Sequence, residues 1–243
     1  MKVSRRLFLA MTGAALAASR AGSKEQSSLL LNHIMLDHII LGCSDLDGGI
    51  AFVEEYTGVR AVMGGVHPGR GTANALLSLG ERHYLEIMGP DPKATVVQPS
   101  AVHQVEVLKG LTTPRLITWA AHPPDIDGLA KKLSDSGIAI MGPTPGSRAR
   151  PDGRTLSWKS LSLADDHHGL LPFFIEWSAS SVHPSSDSPK GCHVESFVVA
   201  DQDPAKLSQI FRQIGVDLPV ERGEKPELRV RIAGPKGVLD VRS

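Results

Sequence analysis

Hydrophobic and polar positions along the chain fall into one pattern written three times. An apolar run opens each copy: Leu36–Leu41, Leu116–Ala121 and Val194–Val199. Runs of about six such residues predict buried strands. An aspartate follows each run: Asp45, Asp125, and Asp201 or Asp203. Aspartate accepts hydrogen bonds from the free N–H groups of a helix's first turn, so a helix is predicted after each. Apolar residues then recur at helical spacing, as in Ile126, Leu129, Ala130 and Leu133, or Leu207, Ile210, Phe211 and Ile214. Gly58, Gly137 and Gly215 end the three stretches, 79 and 78 residues apart. Glycine tolerates the left-handed conformation in which helices often stop.

Three shorter strand-like runs follow each predicted helix. They are 59–64, 74–79 and 84–88, then 138–141, 155–163 and 173–178, then 216–220, 228–232 and 238–241. The unit is βαβββ. One such unit has an apolar sheet face that it cannot bury alone, so units must pair. The expected boundaries are 34–90, 114–178 and 192–243. A linker at 91–113 carries a short helix near Val102–Leu108, and a Ser/Pro-rich linker covers 179–191.

Residues 1–21 read differently. Lys2, Arg5 and Arg6 precede the apolar stretch Leu7–Ala18, and small residues follow. That is the layout of an export signal, too short to span a bilayer. The run Ser4-Arg5-Arg6-Leu7-Phe8-Leu9 matches the twin-arginine pattern, with an ordinary secretory signal as the alternative. Periplasmic or secreted localisation is expected, with 22–33 as a short mature N-terminal segment and no stable membrane insertion after cleavage.

The whole chain balances 26 Lys+Arg against 26 Asp+Glu. Cleavage near Ala21 removes four basic residues and no acid, leaving a mildly acidic protein. That argues against a nucleic-acid partner. The two cysteines, Cys43 and Cys192, cannot build a disulfide scaffold or a four-thiolate zinc site. An oxidising compartment would permit a bond between them, and buried free thiols are equally compatible.

Several stretches resemble the vicinal-oxygen-chelate superfamily, and its glyoxalase-like domain branch in particular. They are Leu36-Asp37-His38-Ile39, Gly64-Gly65-Val66-His67-Pro68-Gly69-Arg70-Gly71-Thr72-Ala73-Asn74, Tyr84-Leu85-Glu86-Ile87, Leu116-Ile117-Thr118-Trp119 and Pro172-Phe173-Phe174-Ile175-Glu176-Trp177. The resemblance implies an α+β fold of three βαβββ modules. The first two pair into a partial β-barrel of the glyoxalase/bleomycin-resistance type, with helices outside. It also implies a divalent metal inside, held by the first and last strands of each module. Those positions fall on His38, Glu86, Thr118 and Glu176. Threonine is a poor ligand, so this chain departs from the pattern there. Members include lyases, isomerases, dioxygenases and metal-free binding proteins, so the fold does not fix the reaction.

The residues themselves point the same way. Side chains alternate faces along a strand, which places His38 with Leu36 and Ile40, Glu86 with Tyr84 and Met88, and Glu176 with Phe174. Carboxylates among apolar neighbours need a cation, an arginine or a proton. A His38/Glu86/Glu176 set would suit Zn, Fe(II), Mn, Ni or Co with open positions for substrate. The alternative pairs the glutamates with Arg60, Arg70 or Arg154 and leaves His38 as a core histidine. His67 and Arg70 lie on a Gly-rich loop suited to an anionic group. Asn74, Thr118 and Trp119 are expected to flank the cavity. His103, His122 and His183 lack partners in spacing.

Two functions follow. One is an exported metal-dependent enzyme acting on a small oxygen-chelating molecule, with Glu176 or Glu86 moving a proton. The other is a metal-free protein that binds or sequesters a small molecule in the same cavity. The degenerate third module leaves a homodimer open.

Overall fold

The structure, a computed structural model, describes residues 30–31, 34–150 and 152–243. The expected signal at 1–21 lies outside the described residues. The first unit runs β2 (Ile34–Gly42), α1 (Leu46–Thr57), β3 (Val62–His67), β4 (Thr72–Gly80) and β5 (His83–Pro90), with β1 (Leu30–Leu31) paired antiparallel to β2. After α2 (Pro99–Lys109) comes the second unit: β6 (Arg115–His122), α3 (Ile126–Asp135), β7 (Ile140–Ala149), β8 (Thr155–Leu163) and β9 (Phe173–Trp177). A short turn of helix, α4 (Pro184–Asp187), precedes the third: β10 (His193–Asp201), α5 (Pro204–Ile214), β11 (Val220–Arg222), β12 (Glu227–Ala233) and β13 (Val238–Arg242).

Local chemistry sets these boundaries. Asp45, Asp125 and Asp203 cap α1, α3 and α5, each accepting from a backbone N–H three residues on. Gly58, Gly137 and Gly215 sit at φ 78°, 75° and 82° just past the helix ends, where any other residue would be strained.

Units one and two form one curled sheet of strand order β3-β4-β5-β2-β6-β9-β8-β7. In each unit the last strand lies parallel beside the first, β5 on β2 and β9 on β6. That leaves the other edge of each first strand free, and β2 and β6 join there antiparallel. The sheet curls until its two end strands, β3 and β7, meet. Helices α1 and α3 lie on the convex side.

The third unit repeats the element order but not the strand order. Its sheet is β11-β10-β12-β13, with the first strand inside. Both edges of β10 are already paired, so this unit cannot extend the barrel. It packs instead on the convex face, where Trp119 of β6 meets Phe197 of β10 (ring centres 5.2 Å apart) and Phe211 of α5 (6.4 Å). Its outer face is ionic, with Arg231 pairing Glu195 and Asp240. Cys43 and Cys192 are both buried and free. Among the described residues no helix is long and apolar enough to cross a membrane.

Candidate functional site

The concave side of the curled sheet holds a cavity of about 660 Å³. One wall is apolar: Ile40, Met88, Leu108, Ile117 and Phe173. Two tryptophans, Trp158 and Trp177, stand 5.6 Å apart on the same lining. At the floor lie His38, His67, Asn74, Tyr84, Glu86 and Arg148. Arg70, His103, Gln104 and Thr118 complete the polar lining, and Arg70 donates to Gln104 (3.0 Å).

The floor is tightly connected. The Asn74 amide nitrogen donates to Glu86 Oε1 (2.9 Å) and to His67 Nε2 (3.2 Å), and His67 Nδ1 donates to Thr72 Oγ1 (2.8 Å). Nε2 of His38 and Nε2 of His67 each stand 3.7 Å from a Glu86 oxygen. Burial pulls the His67 pKa down against the pull of Glu86. Burial also lowers that of Arg148, with Glu86 opposing. Arg148 reaches across the seam between β7 and β3 to donate to the Gly64 carbonyl. The seam requires glycine: Gly65 has φ 144°, and a Cβ there would stand 2.7 Å from Arg148 Nη1.

Behind His38 lies a second polar group. Asp37 is 1% exposed. It accepts from His38 Nδ1 (2.7 Å), Trp177 Nε1 (3.0 Å) and His183 Nε2 (3.3 Å). Burial alone would raise its pKa, but the hydrogen bonds from His183 and His38 win and hold it well below the usual carboxylate range. The His38 ring stacks on Tyr84 (4.5 Å) and meets Phe173 edge-on (5.5 Å).

The expected set is therefore only half assembled. His38 and Glu86 meet, and His67, Arg70, Asn74 and Thr118 line the same cavity. Glu176 does not. Its carboxylate accepts from the Ile126 N–H at the start of α3 (2.8 Å), on the opposite face of the sheet. Along β9 it is Phe173, Ile175 and Trp177 that face the cavity. The caps Asp45 and Asp125, 80 residues apart, relate the two units. On that relation the pair Ile40 and Glu86 corresponds to Ala120 and Phe173. Phe173, not Glu176, stands where Glu86 stands, and Glu176 lies an odd number of residues further on. Trp119 is also corrected: fully buried on the convex side, it donates to the Leu170 carbonyl (2.9 Å). Of the arginines expected to neutralise the glutamates, Arg60 pairs with Glu54 and Arg154 with Asp152 and Asp187, while Arg70 lines the cavity and donates to Gln104.

Sequence reasoning missed Asp37, Arg148 and His183. Alternation placed Asp37 opposite His38, but a β-bulge interrupts β2 between Leu36 and His38 and turns both side chains to one side. The same bulge moves Leu36 off the face it was expected to share with His38. His183 sits in a linker, and no spacing ties it to Asp37.

The donor set does not fit a metal shared between the two halves. The second half offers Thr118 and Phe173 where the first offers His38 and Glu86. The Asn74 N–H groups already point between Glu86 and His67, where a cation would have to sit. Among the described residues no group of three or more His, Cys, Asp or Glu side chains is arranged to hold a metal.

The Glyoxalase-like domain family model matches residues 36–215. The chain belongs to that family. A hypothetical protein from Staphylococcus aureus superposes with a TM-score of 0.61 at 19% identity, covering 86% of this chain and 85% of that one. Methylmalonyl-CoA epimerase from Mycobacterium tuberculosis gives 0.41 at 18% identity, over 60% and 88%. At 19% identity the likeness to the Staphylococcus aureus protein is one of fold alone. No curated protein matches in sequence.

Proposed function

We propose that this chain is an exported small-molecule-binding protein of the glyoxalase-like family that works without a metal bridging its two halves. The observation that carries this is the asymmetry of the cavity: His38 and Glu86 on one half face Thr118 and Phe173 on the other. The ligand is a drug-sized organic molecule. Its polar head meets the His38, His67, Asn74 and Glu86 floor. Its apolar or aromatic body lies against Ile40, Ile117 and Phe173. Export rests on the twin-arginine pattern at Ser4–Leu9, and fractionation of cells carrying Arg5→Lys with Arg6→Lys tests it.

Anilinonaphthalene sulfonate, an anionic aromatic dye, tests the cavity. One dye molecule should bind per chain, and Ile117→Glu should abolish it while the fold survives. Elemental analysis after loading with Zn, Fe(II), Mn, Ni and Co should find far less than one ion per chain. Stoichiometric metal, or dye binding indifferent to Ile117→Glu, overturns the reading.

A further inference from the structure

Asp37 and His38 are adjacent in sequence, yet their side chains meet at 2.7 Å because the bulge in β2 turns them together. Asp37 is buried and ionised, so it can only accept. Its three donors arrive from three places: His38 on β2, Trp177 on β9 and His183 on the segment between the second and third units. The His183 ring is itself fixed, because its Nδ1 accepts from the Ser185 N–H (3.2 Å). In its neutral form His38 therefore carries its proton on Nδ1 and a lone pair on Nε2. That lone pair lines the cavity, 3.7 Å from Glu86 Oε2 and beyond hydrogen-bond distance of it. Tyr84 and Phe173 hold the ring in place.

We propose that His38 Nε2 is a general base acting on the polar head of the bound molecule, with Asp37 and His183 as positioning residues. This rests on the metal-independent reading above. The substrate class is a small acid whose labile hydrogen is an O–H, or a C–H beside a carbonyl. That hydrogen's bond breaks and the proton passes to Nε2. The electron pair stays on the substrate, on its oxygen in either case. The imidazolium, flanked by Asp37 and Glu86, returns the proton to the same atom or to a neighbouring one. Nothing else is consumed, so the reaction class is proton exchange, epimerisation or isomerisation.

Asp37→Asn is the informative variant. The asparagine oxygen must face Trp177 and His183, since the indole can only donate. Its NH2 then faces His38 and forces the proton onto Nε2, removing the base while keeping the packing. Imidazole-nitrogen NMR on the full mature chain should show His38 as the Nδ1–H tautomer, and as Nε2–H in Asp37→Asn. Nitrobenzisoxazole, a carbon acid that releases coloured cyanonitrophenolate when a base takes its proton, reads the activity. Turnover should fall to background in His38→Gln and by roughly a hundredfold in Asp37→Asn. His183→Gln keeps an N–H donor and should keep both tautomer and rate, whereas His183→Ala should lose part of each. A wild-type Nε2–H tautomer, or a rate unchanged in His38→Gln, overturns the proposal. Zinc titration in the same samples separates the two readings. Stoichiometric zinc that shifts the His38 Nε2 resonance sinks the metal-independent site itself. A wrong tautomer indifferent to zinc sinks only the base.

Discussion

Removing the Trp119 indole asks whether the third unit is a structural buttress. The side chain is fully buried on the convex face of β6, against Phe197 and Phe211, and its N–H satisfies the Leu170 carbonyl. Trp→Ala in a packed interior costs about 3–5 kcal/mol through lost burial and the cavity left behind. The orphaned carbonyl adds about 1 kcal/mol. Against a whole-domain stability of about 5–15 kcal/mol, Trp119→Ala should bring the protein close to unfolding. Trp119→Phe keeps an aromatic ring against Phe197 and should cost about 1–2 kcal/mol. Urea unfolding followed by circular dichroism gives the midpoints, and an unchanged slope would confirm that stability alone moved. Dye binding should persist in the folded fraction, because the cavity lies on the other side of the sheet. A Trp119→Ala protein within about 1 kcal/mol of wild type, or one that stays stable while losing dye binding, would put Trp119 back in the cavity wall.

The two glutamates once expected to be equivalent should behave differently. Glu176→Gln should leave dye binding unchanged and cost roughly 1 kcal/mol through the start of α3, whereas Glu86→Gln should alter dye affinity by fluorescence titration. Asp37 makes the protein acid-sensitive: its folded pKa is depressed, so its stabilisation is complete above the unfolded value of about 3.9 and drains away as pH falls below it. Acid titration of Asp37→Asn should show a shallower loss over that range. Burial pushes the Cys43 thiol up to about 12, so iodoacetamide near pH 8 should label it only after unfolding, and rapid native labelling counts against its burial. Gly65→Ala should misplace Arg148 and lower the thermal midpoint, since a Cβ there stands 2.7 Å from Arg148 Nη1 and 3.1 Å from the Ala149 carbonyl; a neutral effect would mean that the seam between β3 and β7 is loose.

The strands and helices were legible because their causes are local. A run such as Leu36–Leu41, a capping carboxylate such as Asp45 and a stopping glycine such as Gly58 act over a few residues each. The short β11 was misplaced: the apolar run 216–220 reads as a strand, but only Val220–Arg222 finds a partner, in β10. His38, Asn74 and Glu86 could be nominated because each is a polar residue on a strand that reads as buried, and His67 because it adjoins a Gly-rich loop, although it proves to end β3. Glu176 and Trp119 went wrong through facing rather than through element assignment. Both lie on correctly expected strands, and a strand's own sequence does not say which of its two faces meets a helix and which meets a cavity.

Periodicity alone determined that this chain repeats a βαβββ unit, with polar chemistry on its early strands, and the resemblance added how such units pair. Only the tertiary structure decided that Asp37 stands behind His38, that Arg148 closes the seam, that His183 belongs to the site, and that the third unit buttresses rather than extends the barrel. Periodicity propagates along one strand until a bulge resets it. The register between strands, and the choice of which edge stays free to pair, are set by contacts between segments far apart in the chain.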